Sequence, residues 1–224
     1  MRHEEDELKA PLIGISRHRL ATDGAGVTTL VTFHGCPLHC RYCLNPRCLS
    51  PQGVWRMFTP VNLLNAVFPD DLYFQATGGG ITFGGGEPLL RSRFIRVFCE
   101  MAPDDWRITI ETSLNADLVQ LQEVAPFVSE YYVDVKDMNP DIYRRYALRD
   151  NQRVLSCLRW LAGEGLQDKV VVRLPLIPDF NTDADRGQSR QQLQALGFTR
   201  FGLFTYIRDV EAHKLQQLQD DLQV

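Results

Sequence analysis

No stretch of the 224-residue sequence is apolar over the roughly 20 residues that a membrane-spanning helix needs. The amino terminus lacks the basic-then-apolar pattern of a secretory signal. No repeat, low-complexity segment or linker interrupts the chain, which argues against a solenoid or a string of modules. Charge of one sign is scarce too. The 24 lysines and arginines against 28 acidic residues leave a net charge of −4, with no basic excess to hold nucleic acid or an anionic surface. These absences describe a cytoplasmic protein without nucleic-acid or membrane partners. Cysteines number only six, and in that compartment they point to metal or redox use rather than disulfides.

What is present suits one globular domain, 1–224, with 44% hydrophobic residues to build a core. Its first 12 residues, with the run Glu4-Glu5-Asp6-Glu7, are expected to form a flexible acidic tail. Short apolar, β-branched segments at 27–33, 80–83, 107–111, 131–135, 170–174 and 200–204 read as strands. Between and after them, helical patterns fall at 60–68, 92–101, 116–124, 154–162, 183–196 and 211–218. Alternation of this kind predicts a parallel sheet covered by helices, either doubly wound or an incomplete barrel. In both, chemistry gathers at the carboxyl ends of the strands.

The unusual residues fall at those ends. After the first strand comes Cys36-Pro37-Leu38-His39-Cys40-Arg41-Tyr42-Cys43, with C-x3-C-x2-C spacing. Four thiolates normally close an iron–sulfur cubane, so three leave one iron open for a substrate. Zinc is the competing reading, with Cys48, His34 or His39 as a fourth ligand. Zinc knots usually pair two clips, however, and a second is missing here. Cys48, Cys99 and Cys157 read as ordinary or buried thiols. The second strand leads into Gly84-Gly85-Gly86-Glu87-Pro88, where absent Cβ atoms let backbone approach a ligand. Glu111 and Thr112 end the third strand, Asp134, Lys136 and Asp137 the fourth, and Arg173 lies on the fifth. Charged groups closing apolar strands suggest a site with a partly basic mouth around Lys136, Arg173 and Arg208.

Together these segments resemble the radical S-adenosylmethionine (SAM) superfamily, and within it the activating enzymes of the pyruvate formate-lyase-activase type. Asp23-Gly24-Ala25-Gly26 before Thr28-Thr29 resembles that family's lead-in, and Cys36 to Pro46 its cysteine segment. Gly85-Gly86-Glu87-Pro88, Asp134-Val135-Lys136-Asp137-Met138-Asn139 and Arg173-Leu174-Pro175-Leu176-Ile177-Pro178 match three further motifs. The resemblance implies an α/β fold with a partial (β/α)6 barrel, and a [4Fe–4S] cluster on Cys36, Cys40 and Cys43. It implies SAM on the open iron, with backbone around Gly85, Gly86 and Glu87 at its amino group and Tyr42 near adenine. Glu111, Thr112, Asp134, Lys136 and Arg173 would line the SAM side, where a monovalent cation is also expected. No catalytic residue is implied beyond the cluster and SAM.

The implied activity is reductive cleavage of SAM, followed by hydrogen abstraction from a glycine Cα of a glycyl-radical enzyme. Flavodoxin or ferredoxin would supply the electron. The chain resembles the short form, without the cysteine-rich ferredoxin-like insert of many relatives. It departs from the pattern at Ile207, where a histidine is frequent and where Arg208 offers a replacement. Two other functions compete: a radical SAM enzyme acting on a small molecule or peptide, and a zinc-stabilised binding module without catalysis.

Overall fold

A computed structural model describes residues 8–20 and 23–206. Eight strands form one sheet: β1 (Ala10–Leu20), β2 (Val27–Phe33), β3 (Arg56–Phe58), β4 (Gly80–Gly85), β5 (Arg107–Thr112), β6 (Glu130–Asp134), β7 (Val170–Leu176) and β8 (Arg200–Thr205). Their order is β3-β1-β2-β4-β5-β6-β7-β8. From β2 through β8 every neighbouring pair runs parallel, while β1 and β3 add to the β2 side antiparallel. The outer strands β3 and β8 do not pair with each other, so the sheet is an open, partial barrel.

Helices cover it: α1 (Pro60–Val67), α2 (Asp71–Thr77), α3 (Ser92–Cys99), α4 (Leu118–Val124), α5 (Pro140–Ala147), α6 (Gln152–Gly163) and α7 (Asp183–Ala195). Local chemistry starts them. Pro60 opens α1 behind Thr59, whose Oγ1 accepts from the Asn62 N–H at 3.2 Å. At α7, Thr182 and Asp185 form a reciprocal capping box.

The pleat sends alternate residues of each strand to opposite faces. On the helix side Ile81, Phe83, Ile110, Tyr131, Val133, Val170 and Val172 are fully buried. Phe83 stacks on Phe33 at 5.7 Å and meets Phe98 edge-on at 5.4 Å, and burying one such ring contributes about 1.5–3 kcal/mol. The other face carries Thr82, Gly84, Thr109, Glu111, Asp134 and Arg173, a polar interior that needs partners. Below the site, Thr82 Oγ1 donates to the Asp23 carbonyl at 2.5 Å, and Arg19 pairs with the Asp23 carboxylate. The Asp23 segment thus closes the floor.

Four elements differ from the sequence expectation. The tail expected over the first 12 residues is strand from Ala10 on, and Ala10 and Leu12 are fully buried. Residues 1–7 lie outside the described residues, as does the helix expected at 211–218. β1 carries Arg17, His18 and Arg19 in its outer half, so its pattern is not that of a core strand. It holds its place because buried Asp70 accepts from Arg17 Nε at 2.9 Å and from Thr29 Oγ1 at 2.7 Å. β3 is too short to show a pattern. Helices α2 and α5, also unanticipated, begin at Asp71 and at Pro140.

Candidate active site

The cysteine segment leaves β2 as a loop tied from three directions. Gly35 N–H donates to the Cys48 carbonyl at 2.8 Å, and Cys48 N–H to Asn45 at 3.0 Å. From α5, the Ala147 and Tyr146 carbonyls accept from His39 and Arg41 N–H, both at 3.1 Å, and Arg149 Nε donates to Pro37 at 3.1 Å. Asn45 Nδ2 reaches the Gly85 carbonyl at 3.3 Å. So fixed, half-buried Cys36, Cys40 and Cys43 line one cavity of about 620 Å3 together with Cys48. The zinc alternatives fare worse. His34 and His39 do not line the cavity, and His34 Nε2 donates to the Ser50 carbonyl at 2.7 Å. Among the described residues no three His, Cys, Asp or Glu side chains converge closely enough to hold a single metal ion.

Gly85 and Gly86 also line the cavity, and their missing side chains serve the fold first. A Cβ on Gly85 would lie 2.8 Å from Thr32 Cβ, and one on Gly86 2.1 Å from the Gly35 oxygen. That close approach lets Gly86 N–H donate to Phe33 and Glu87 N–H to Gly35, both at 2.9 Å. The two amides are therefore spent on holding the cysteine loop. Glu87 itself is 1% exposed and its carboxylate turns into the protein. It accepts from Thr112 Oγ1 and Ser113 Oγ at 2.6 Å each, from Ser113 N at 2.9 Å and from Leu89 N at 3.2 Å. Burial pushes this carboxyl above its usual range against those donors.

The carboxyl ends of β5, β6 and β7 carry a row of paired charges. Arg173 donates to Glu111 at 2.9 Å and to Asp134 at 2.6 Å. Lys136 Nζ lies 3.3 Å from Asp134 and donates to the Tyr206 hydroxyl at 3.1 Å. Burial alone would raise Asp134, but Lys136 and Arg173 outweigh it and hold the carboxyl low. Burial would likewise lower Lys136, yet Asp134, Tyr206 and Cys40 keep it firmly protonated. Two carboxylates thus offset two cations. The basic mouth expected around Lys136 and Arg173 is instead a neutral network, buried at Lys136 and half-buried at Glu111, Asp134 and Arg173. Arg208 and Ile207 lie outside the described residues.

Tyr42 meets Tyr146 at 6.1 Å and Phe180 at 5.8 Å, both edge-on, and donates to Asp179 at 3.3 Å. Tyr146 and Tyr206 complete this aromatic wall. Tyr146, Leu30 and Arg19 were not legible as site residues, since nothing in their local sequence marks them, and Asp23 was marked only as part of the lead-in segment. Asp137, expected nearby, instead anchors α7 by accepting from Ser189 Oγ at 3.0 Å.

The radical SAM superfamily model matches residues 30–187, a span containing every strand end just described except that of β8. This chain belongs to the radical SAM superfamily. It is 30% identical to pyruvate formate-lyase 2-activating enzyme of Escherichia coli, over 86% of this chain and 78% of that one. It is 25% identical to (2S)-3-sulfopropanediol dehydratase activating enzyme of Klebsiella oxytoca, over 80% and 79%. Within the superfamily it is therefore of the pyruvate formate-lyase-activase type. The SAM-bound crystal structure of Streptococcus suis SuiB shares the fold, with TM-score 0.61 at 11% identity over 86% of this chain and 48% of that one.

A radical SAM enzyme carries a [4Fe–4S] cluster and SAM, and the donor set here fits them. The Cys43 thiol is drawn down to about 6, chiefly by Cys48 and against the effect of burial. Burial pushes Cys40 up to about 11, with Lys136 acting in the opposite sense. Among the described residues no helix is long and apolar enough to cross a membrane.

Proposed function

We propose that this radical SAM enzyme activates a glycyl-radical enzyme, taking a hydrogen from a glycine Cα of that partner. The observation that carries the reading is the 30% identity, over 86% of the chain, to an activating enzyme of this type. When bound, the cluster and SAM supply one-electron cleavage and a hydrogen-abstracting radical, with flavodoxin or ferredoxin as the electron source.

The chain's own residues bind, orient and exclude water. Cys36, Cys40 and Cys43 hold the cluster. With the Gly86 and Glu87 amides occupied, residues 85–87 offer the SAM amino group carbonyl oxygens, while Glu87 acts from behind through Thr112 and Ser113. Tyr42 presents the edge of the aromatic wall to adenine. Glu111, Asp134, Lys136 and Arg173 form a rigid charged row whose two signs suit the zwitterionic methionine end of SAM. Any monovalent cation there would share Asp134 with Lys136 and Arg173.

Reduced protein incubated with SAM and a candidate glycyl-radical enzyme is expected to produce a doublet electron paramagnetic resonance signal on the partner. Turnover of a small molecule, with no doublet on any candidate, would replace this reading by the small-molecule one. Arg173→Ala should retain the iron yet raise the KM for SAM roughly 10-fold or more, since hydrogen bonds to charged groups contribute about 1.5–3 kcal/mol. Loss of iron in that variant would assign Arg173 to the fold instead.

A further inference from the structure

The net charge of −4 hides an uneven distribution. From Gly24 to Pro69 the sequence holds no aspartate or glutamate, yet it includes Arg41, Arg47 and Arg56. That run contains the whole cysteine loop. The fold brings two more arginines to it from elsewhere. Arg91 ends a 3-10 turn (Pro88–Arg91), and its Nη2 lies 3.6 Å from where a Cβ on Gly35 would stand. Arg149 Nε donates to the Pro37 carbonyl at 3.1 Å. The two guanidinium groups thus sit beside the two chain neighbours of Cys36. Arg41 and Arg47 are exposed, and none of the four arginines lines the cavity. Among the described residues none of the four pairs with a carboxylate. Asp150, next to Arg149, accepts from the Gln152 N–H at 3.0 Å. Leu148, between the residues tied to His39 and Pro37, has a φ of 57° and is 46% exposed. Leucine rarely adopts that conformation, and its exposed side chain adds an apolar contact to the basic surface.

We propose that this outer face of the cysteine loop, with Arg41, Arg47, Arg91 and Arg149 around Leu148, is where an acidic one-electron carrier protein docks to reduce the cluster. The proposal rests on the radical SAM reading and on the protein electron source proposed above. Cys36, a cluster ligand in that reading, adjoins Pro37, whose carbonyl Arg149 holds. A carrier docked here therefore reaches the ligand cysteines through the loop, leaving the cavity to SAM and the substrate. The carrier is oxidised by one electron and the cluster reduced by one, with no bond made or broken at this face. Charge complementarity steers encounter and selects the partner more than it adds affinity, which suits a carrier that must leave after each electron. A glycine loop has to enter the cavity, which these arginines do not line.

The test uses the full-length protein, reconstituted anaerobically, as wild type and as the double variant Arg41→Glu/Arg47→Glu. Oxidised flavodoxin, and in a second series ferredoxin, is titrated calorimetrically against each. Wild type should bind one of them with a Kd that rises with salt, because exposed charges are screened. The variant should bind it roughly 10-fold or more weakly, since steering of this kind raises encounter rates by 10-fold to 1,000-fold. Formation of 5′-deoxyadenosine is then driven either by dithionite, which needs no docking, or by the reduced carrier. With dithionite the variant should match wild type, and with the carrier its kcat/KM should fall by the same factor as its binding. Equal binding and equal rates in the two proteins overturn the proposal, as does wild type that binds neither carrier. Equal losses with both reductants also overturn it, making the arginines part of the loop's support. Normal SAM cleavage with either reductant, but no doublet on a glycyl-radical partner, would reassign the face to that partner. Wild type that cleaves no SAM even with dithionite would refute the radical SAM reading itself, and the proposal with it.

Discussion

Replacing any one of Cys36, Cys40 or Cys43 by alanine is expected to abolish both iron binding and SAM cleavage. Each thiolate would hold a different iron, and the single further cysteine in the cavity wall, Cys48, lies outside the C-x3-C-x2-C spacing. His34 is engaged with Ser50, His39 does not line the cavity, and the Cys48 backbone is fixed between the loop ends. Cys99→Ala and Cys157→Ala are expected to keep about four irons per chain, the content of one cubane. Both thiols lie outside the cavity and are pushed up to about 12, chiefly by burial, so neither is a thiolate at neutral pH. Iron analysis and 5′-deoxyadenosine formation after anaerobic reconstitution measure both effects. Full iron in any of the first three variants would remove that cysteine from the ligand set.

Glu87→Ala should unfold the protein much more easily. Four donors converge on this carboxylate: two hydroxyls and two backbone N–H groups, all within 3.2 Å. Each buried donor left without an acceptor costs about 1–3 kcal/mol. Even if most of them find water, the loss should be about 3 kcal/mol or more, roughly a hundredfold in the folding equilibrium. A denaturant midpoint measured on the metal-free protein reads it directly. Iron uptake should weaken in parallel, because the residue's amide holds Gly35 at the start of the cysteine loop. Normal stability with lost SAM binding would instead give the Glu87 side chain a direct role at the ligand.

The parallel strands were legible because each is a short apolar run, and the site because its polar residues interrupt those runs at one end. What was not legible depends on distant partners. β1 exists because β2 and β3 flank it and Asp70 neutralises Arg17, although its outer half is largely polar. A carboxylate after two glycines reads the same whether it faces a ligand or Thr112 and Ser113, so the inward turn of Glu87 was hidden. Arg173 looked like a free cation because Asp134 and Glu111 reach it only across strands, and Asp134 also takes Lys136 two residues on. Cys48 looked ordinary because linear spacing does not show a turn folding back on Gly35.

The ties between the cysteine loop and the end of α5 set an order on the protein's biosynthesis. Pro37 and Arg149 are 112 residues apart, and the amides of His39 and Arg41 wait on carbonyls of Tyr146 and Ala147. A nascent chain shorter than this presents three thiols on a loop missing one whole side of its support. The proposed cluster site would be complete only once synthesis has passed Arg149 and α5 has docked. Iron delivered earlier would meet loose thiols rather than a binding site, so maturation of this protein belongs after translation of its central helices.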